Sequence, residues 1–497
     1  MGGNFSGGGG NFNISSMNTV VPYEGMINEN YFPISERETK DSASLEIFKS
    51  ITKNPFNKKL EYFIGLLTKS KYDGIGRQLD NIDISIALDI SGSMGSIVTK
   101  KPTYKEMYDN VEVNKNVGND GKNRIEMAKE CLFKLIESMT DKMKMALTTF
   151  HTSSTVIMPL SPKQELKSIS NRIHSIKAGG GTDLTAALKG AADCLSESTA
   201  KFKRVIIITD GWDDRGDFMN LATELNKKDI LITILSIDSS SNSNMYSKFS
   251  ELKGCNYFFI LNEEDMEKYL IKQLNYICFP ILYDMKVNFE SVDADLIRTI
   301  GCGQENEKSK EGDVSTTPKN ELINAKTLFP SDLKQFNGKY YQEGGLILLK
   351  IKPKSLDKNC RINIKLSYEE LEGSKYENNY LIEFTVDELQ KGVNTIEMKK
   401  GLAIYYFTKF FRKIKKFMNL NVRFTHCGPV EDQEKKKPEQ KYFNFLSRNF
   451  ENYDKIKIYF NDNYNNDINE YQKEYYLKNL DKQYAECEQK MKEYRNN

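Results

Sequence analysis

The sequence predicts an α/β protein with a doubly wound, mostly parallel sheet, followed by an all-β sandwich domain and a helical C-terminal tail. Three observations predict this order. Apolar, β-branched runs at residues 82–88 and 205–208 are typical of strands buried on both faces of a parallel sheet. A helical stripe at residues 125–139 lies between them. Beyond about residue 280, alternating segments such as residues 361–368 indicate half-buried antiparallel strands.

Composition sets the scale and excludes several classes of protein. At 497 residues the chain has room for about three domains. Its net charge of +2, with 28% charged residues, does not predict a nucleic-acid binder. The eight scattered cysteines include no C-x-x-C pair, so we interpret them as reduced thiols of a cytoplasmic protein without a zinc finger. The sequence contains neither a continuous apolar membrane span nor the features of a secretory signal.

We predict six segments along the chain. They are a disordered Gly/Asn-rich N-terminus, a lead-in segment, the α/β domain, the β-sandwich domain, a basic amphipathic helix with its linker, and a helical tail, at residues 1–20, 21–80, 81–280, 281–400, 401–430 and 431–497. A helix is expected at residues 43–51 of the lead-in. Residues 96–123 are a polar insertion, either a rim that selects partners or a disordered loop.

Small polar residues gather at the ends of the predicted strands. Asp89, Ser91 and Ser93 follow the first strand at every second position, which places one carboxylate and two hydroxyls in one pocket if the chain stays extended. Thr182 follows three glycines, and Asp210 comes directly after a buried strand. Loops at the carboxyl ends of strands meet in open α/β sheets, so all five can converge. Oxygen donors of this kind suit Mg²⁺ or Mn²⁺ rather than zinc.

These five residues resemble the metal-ion-dependent adhesion site of von Willebrand factor A domains, over roughly residues 80–280. The resemblance implies that Asp89 and Asp210 orient the metal ion, and that the hydroxyls of Ser91, Ser93 and Thr182 coordinate or steer it. It also implies that an Asp or Glu carboxylate of a protein partner completes the coordination. The function we expect is therefore divalent-cation-dependent protein–protein interaction, of an adhesion or adaptor type, without enzymatic activity. A domain of this kind followed by a β-sandwich also resembles a group of intracellular and bacterial von Willebrand A proteins.

Two alternative functions stay open. A peripheral membrane scaffold is indicated by Gly2, which begins an N-myristoylation pattern, and by the basic helix at residues 401–418. The aromatic stripe of that helix either lies on an anionic membrane or packs on a neighbouring domain. A magnesium-dependent hydrolase would need a positioned base, and no such motif accompanies the site. Trp212 and Asp213, beside the predicted metal, are candidate contacts for the partner.

Overall fold

The structure, a computed structural model, describes residues 26–27, 30–35, 39–76, 79, 81–98, 122–211, 217–237, 249, 251–260, 263–301, 321–424, 452–464 and 472–496. In chain order, the strands of these residues are β1 Tyr31–Ile34, β2 Ser44–Lys53, β3 Leu60–Lys69, β4 Ile82–Asp89, β5 Lys144–Phe150, β6 Ser154–Pro162, β7 Phe202–Thr209, β8 Ile230–Ile237, β9 Asn256–Ile260, β10 Leu282–Glu290, β11 Ala294–Ile300, β12 Glu321–Leu328, β13 Leu333–Phe336, β14 Lys339–Glu343, β15 Ile347–Pro353, β16 Cys360–Glu370, β17 Lys375–Phe384 and β18 Val393–Asn394. The helices are α1 Arg124–Ser138, α2 Lys163–Ser168, α3 Ser170–His174, α4 Leu184–Asp193, α5 Phe218–Asn226, α6 Glu263–Glu267, α7 Leu274–Cys278, α8 Val386–Lys391, α9 Ile396–Phe424, α10 452–463 and α11 Gln472–Asn496.

The central sheet has the strand order β6-β5-β4-β7-β8-β9. All neighbours in it run parallel except β5 and β6, which are antiparallel. This confirms the predicted α/β fold with a mixed, mostly parallel sheet. The strands β5 and β7 lie on opposite sides of β4, so the winding reverses at β4. Ligand sites of open α/β sheets form at such a reversal.

Helices cover both faces of the central sheet because its strands are apolar on both sides. Along β7, Ile206 and Ile208 belong to one core cluster, whereas Val205 and Ile207 belong to another. This division follows from the two-residue period of a strand. The helix α1 contributes to the first cluster, and α4 and α5 contribute to the second. The sheet is therefore fixed from both sides, and the ends of its strands are held in place.

The helix predicted at residues 43–51 is wrong, because these residues lie in β2 and in the turn before it. Leu45, Phe48 and Ile51 are spaced by three, which imitates the period of a helix. In the structure Leu45 and Ile51 face one core cluster, and Phe48 faces another on the opposite side of the strand. A strand buried on both faces thus produced a helical spacing by chance.

Two further sheets are antiparallel and combine strands from before and after the central sheet in the chain. One has the order β12-β10-β16-β17, and the other has the order β11-β15-β3-β2-β18. Val287 and Ile364 of the first sheet share a core cluster with Ile64 and Ile351 of the second. Because β2 and β3 belong to residues 21–80, the predicted lead-in supplies two strands of the larger sheet. A small sheet, β1-β14-β13, is also present.

The helix α9 packs its aromatic residues on the outer face of the five-stranded sheet. These residues are buried together with Phe48 and Phe63 of the sheet: Tyr405, Tyr406, Phe407, Phe410 and Phe411. The helices α10 and α11 add Phe460 and Tyr476 to the same cluster. The sequence allowed the aromatic stripe either to lie on a membrane or to pack on a neighbouring domain. The structure shows that it packs on the protein.

A buried carboxylate joins the turn after β3 to the loop before β13. Asp73 is 7% exposed and accepts hydrogen bonds from the backbone N–H groups of Ser70, at 2.7 Å, and of Ser331, at 2.8 Å. Burial raises the pKa of Asp73 to about 7, although these donors and the charge of Lys69 act in the opposite direction. The folded protein therefore keeps a proton that the unfolded chain releases near pH 4.

We expect Asp73 to make the free energy of unfolding fall as the pH rises from about 4 to about 7, because only the unfolded chain loses the proton in this range. At ~1.4 kcal/mol per pKa unit, the fall is at most ~4 kcal/mol. Urea titrations across this range measure it. In Asp73→Asn the baseline stability is lower, since one hydrogen bond is lost, but this part of the pH dependence should be absent. Equal pH slopes for the two proteins would contradict the assignment.

Candidate metal centre at the carboxyl ends of the strands

Asp89 ends β4 and is fully buried. Its Oδ1 accepts a hydrogen bond from the backbone N–H of Ser91 at 2.7 Å, which fixes the turn after the strand. Its Oδ2 accepts a hydrogen bond from the Thr209 hydroxyl at 2.7 Å. Burial raises the pKa of Asp89, and the negative charge of Asp210 adds to this effect, whereas the two hydrogen bonds oppose it. The side chain is therefore held in one orientation between β4 and β7.

A chain of hydrogen bonds connects the two serines to Asp210. The Ser91 and Ser93 hydroxyl oxygens are 3.0 Å apart, and the Ser93 hydroxyl donates to Asp210 Oδ1 at 2.7 Å. The other oxygen of Asp210, Oδ2, accepts from Arg124 Nη1 at 2.6 Å. Because the Ser91 N–H also donates to Asp89, four of the five predicted site residues are joined directly by hydrogen bonds.

The glycine-rich loop lies beside the turn after β4. The Gly179 N–H donates to Ile90 O at 2.7 Å, and the Gly92 N–H donates to Gly180 O at 3.0 Å. Gly180 has a φ of +92°, and a Cβ there would meet the Cβ of His151 at 3.2 Å, so glycine suits both its conformation and its surroundings. These contacts anchor the loop that carries Thr182.

Thr182 lies next to the residue that follows Asp210. Its hydroxyl oxygen is 3.8 Å from the position that a Cβ would take on Gly211. The next residue, Asp183, caps α4 by accepting from the N–H groups of Thr185 and Ala186. The structure therefore brings Thr182 to the same end of the sheet as the four other residues. The predictions for Gly2, Trp212 and Asp213, and for most of the insertion at residues 96–123, lie outside the described residues.

Sequence reasoning missed two contacts of this site. Thr209 stands beside Asp210 in the sequence, and the alternation of a strand places its hydroxyl toward Asp89. This contact was foreseeable once β7 was placed next to β4. Arg124 gave no comparable signal, because it stands 86 residues before Asp210 and begins a helix after the insertion. Only the folded chain shows that the two side chains meet.

The donor set fits a hard divalent cation. Two carboxylates and the hydroxyls of two serines and one threonine supply oxygen, which Mg²⁺ and Mn²⁺ prefer. Among the described residues, no group of three or more His, Cys, Asp or Glu side chains is placed to hold a metal ion. In the same part of the chain, no helix is long and apolar enough to span a membrane.

Solved structures similar to this chain share low sequence identity with it. A von Willebrand factor type A structure from Catenulispora acidiphila is 12% identical, with a TM-score of 0.43, over 79% of this chain and 84% of that chain. The ArnB paralog VWA2 from Sulfolobus acidocaldarius is 10% identical, with a TM-score of 0.37, over 89% of this chain and 98% of that chain. The PilB minor pilin from Streptococcus sanguinis is 14% identical, with a TM-score of 0.30, over 48% of this chain and 79% of that chain. Similarity at this level carries no conclusion about function.

No curated protein matches the chain significantly. Residues 84–212, in contrast, match the family model of the von Willebrand factor type A domain. The matched segment runs from β4 into the loop after β7, and it includes Asp89, Ser91, Ser93, Thr182 and Asp210. This chain therefore contains a von Willebrand factor type A domain.

Proposed function

We propose that this domain binds Mg²⁺ or Mn²⁺ through Asp89, Ser91, Ser93, Thr182 and Asp210 and thereby binds a carboxylate of a protein partner. The observation that supports the proposal is the hydrogen-bonded chain that joins four of these residues at the carboxyl ends of two adjacent strands. When bound, the cation would supply the positive charge that a partner's Asp or Glu side chain requires. Von Willebrand factor A domains commonly mediate protein–protein interactions.

The charges of the site favour an anionic partner. Asp89 and Asp210 contribute two negative charges, and Arg124 offsets one of them by its ion pair with Asp210. The hydroxyls of Ser91 and Ser93 are neutral donors. A divalent cation, together with the Arg124 guanidinium in or beside the site, would therefore leave an excess of positive charge, which attracts a carboxylate.

Among the described residues, contacts between β9 and the antiparallel sheets lie away from the candidate metal centre. We propose that the two antiparallel sheets with a common core form a β-sandwich that supports the domain from the opposite end. The Gly254 N–H, at the start of β9, donates to the Thr327 hydroxyl of β12 at 2.8 Å. Lys253 and Lys326 both pair with Asp284 of β10, at 2.8 Å and 3.0 Å. These contacts lie near the amino end of β9, whereas the candidate metal centre lies at the carboxyl ends of β4 and β7, which run parallel to β9 in the same sheet.

The structure gives less support to a membrane scaffold than to an interaction module. The aromatic residues of α9 from Tyr405 to Phe411 are buried, so they cannot enter a membrane while the helix is packed. A hydrolase would need a base aimed at the metal. His151 contacts Gly180 of the glycine-rich loop, but its Nδ1 accepts the Thr152 N–H at 2.6 Å. We therefore propose binding rather than catalysis.

Thr182→Ala tests the proposal because it removes one hydroxyl from the site without disturbing a core residue. We expect the variant to bind an acidic peptide in Mn²⁺ at least ~10-fold more weakly, as changes around metal sites typically do. The measurement is calorimetry with peptides that carry a single Glu, taken from a panel screened against the wild type. Matched peptides with Gln at that position should not bind.

Thr223→Ala is the control for this experiment. Thr223 is also half-buried, but its hydroxyl donates to Met219 O within α5. This variant should bind the Glu peptide like the wild type. If a selected peptide binds equally well in Mn²⁺ and in EDTA, or binds Thr182→Ala unchanged, recognition does not proceed through this site.

A further inference from the structure

Arg124 forms an ion pair with Asp210 of the candidate metal centre. Its Nη1 lies 2.6 Å from Asp210 Oδ2, where the Asp210 side chain is fully buried and the Arg124 side chain is 17% exposed. Asp210 Oδ1 is bonded to the Ser93 hydroxyl at the same time. A buried carboxylate needs such a partner, because desolvation of an isolated charge is costly. The guanidinium therefore supplies a positive charge to the same carboxylate that a metal ion at this site would use.

The backbone around Arg124 is fixed from several sides. Arg124 is the first residue of α1, and Asn123 caps this helix by accepting from the Glu126 N–H at 2.9 Å. The Arg124 N–H donates to Ser96 O at 2.9 Å, and the Val98 N–H donates to the carbonyl of residue 122 at 3.0 Å. The arginine thus stands at the base of the insertion, where the two ends of the insertion are paired. Because the backbone is held, the guanidinium would leave Asp210 by a change of the side chain and not of the helix.

We infer that Arg124 is a tethered cation that competes with the divalent cation for Asp210, so that metal binding displaces the guanidinium. This inference rests on the metal site proposed above. Two cations that contact the same carboxylate repel each other, and in a partly buried site this repulsion is only weakly screened. Arg124 therefore lowers the affinity for metal and keeps Asp210 paired when metal is scarce. The site would be filled only at cation concentrations high enough to displace the arginine.

Calorimetric titration of the full-length protein with Mn²⁺ tests this inference. We expect Arg124→Gln to bind Mn²⁺ at least ~10-fold more tightly than the wild type, because the competing charge is gone. Arg124→Lys, which keeps the charge but loses the planar guanidinium, should fall between the two. If Arg124→Gln does not fold, Arg124→Lys is compared with the wild type instead, and it should still bind Mn²⁺ more tightly. Arg172→Gln, at an exposed position on α3, makes the same change of charge and should leave Mn²⁺ affinity unchanged.

Thermal unfolding provides a second measurement that does not depend on a partner. In EDTA, Arg124→Gln should melt below the wild type, since Asp210 has lost its ion pair, and Mn²⁺ should raise its melting temperature more than that of the wild type. Equal or weaker Mn²⁺ binding by Arg124→Gln, in a protein whose binding still requires Asp89, would overturn the inference and leave the metal site intact. If neither the wild type nor Arg124→Gln binds Mn²⁺, the proposed metal site itself fails. Mn²⁺ binding by Arg124→Gln but not by the wild type would support both the metal site and the inference about Arg124.

Discussion

Replacing Arg204 with alanine is expected to lower the free energy of unfolding by ~3–5 kcal/mol, the range of a large side chain deleted from a core. Arg204 lies in β7 and is fully buried. Its Nη1 donates to the Thr233 hydroxyl at 2.8 Å, and its Nη2 donates to Gly254 O at 3.0 Å. Alanine would leave a cavity and remove the donors of two buried acceptors. The same network continues from the Thr233 hydroxyl to Asn256 Oδ1, at 2.6 Å.

The buried charge of Arg204 lowers the free energy of unfolding, whereas its packing and hydrogen bonds raise it. A second variant separates these effects. Burial lowers the pKa of Arg204, because desolvation disfavours its charged form. Arg204→Met fills most of the volume without the charge, so it should be less destabilising than Arg204→Ala. The control is Arg361→Ala, because Arg361 pairs with Glu383 at the surface and its side chain is 65% exposed. Urea denaturation should show a clear loss for Arg204→Ala and an unchanged midpoint for the control. Similar midpoints for both alanine variants would mean that the Arg204 contacts contribute little.

The parts of the fold that were predicted from the sequence depend on local patterns. The strands β4 and β7 have apolar runs near their ends, at residues 86–88 and 205–208, and polar residues follow directly after these runs, so their convergence at one edge of the sheet follows from parallel pairing. The structure places Asp89 and Asp210 at that edge. Arg204 was not predicted as a core residue, because a charged side chain near the start of a strand normally indicates an exposed position.

The sequence did not predict the features of the fold that depend on contacts between residues far apart in the chain. The aromatic stripe of α9 was compatible with a membrane or with a protein surface, and periodicity alone cannot separate these environments. In the structure the Tyr406 hydroxyl donates to Glu61 Oε2 at 2.7 Å, and Lys350 donates to Glu61 Oε1 at 2.7 Å. Burial alone would raise the pKa of Glu61, but these hydrogen bonds lower it. The three residues are far apart in the chain: Lys350 meets Glu61 because β15 pairs with β3, and Tyr406 meets it because α9 packs on this sheet.

Replacing Asp89 with alanine is expected to abolish the binding of Mg²⁺ and Mn²⁺. The variant loses one of the two carboxylates of the proposed site, and it also frees the Ser91 N–H and the Thr209 hydroxyl that Asp89 now orients. The Thr209 hydroxyl can still donate to Gly211 O at 2.9 Å, but leaving the buried Ser91 N–H without its acceptor should also cost ~1–3 kcal/mol of stability. Loss of Mn²⁺ binding in Asp89→Ala must therefore be compared with a variant that is destabilised to a similar extent at another position.

Asp83→Ala provides this matched control. Asp83 lies near the opposite end of the same strand, is 6% exposed, and accepts a hydrogen bond from the Ser198 hydroxyl at 2.6 Å. We expect both variants to be destabilised, but only Asp89→Ala to lose the calorimetric signal of Mn²⁺. For the wild type, EDTA should lower the melting temperature only by the mass-action effect of a lost ligand, because the central sheet has its own core on both faces. Mn²⁺ binding that survives Asp89→Ala, or that disappears equally in both variants, would show that the cation does not bind at the end of β4.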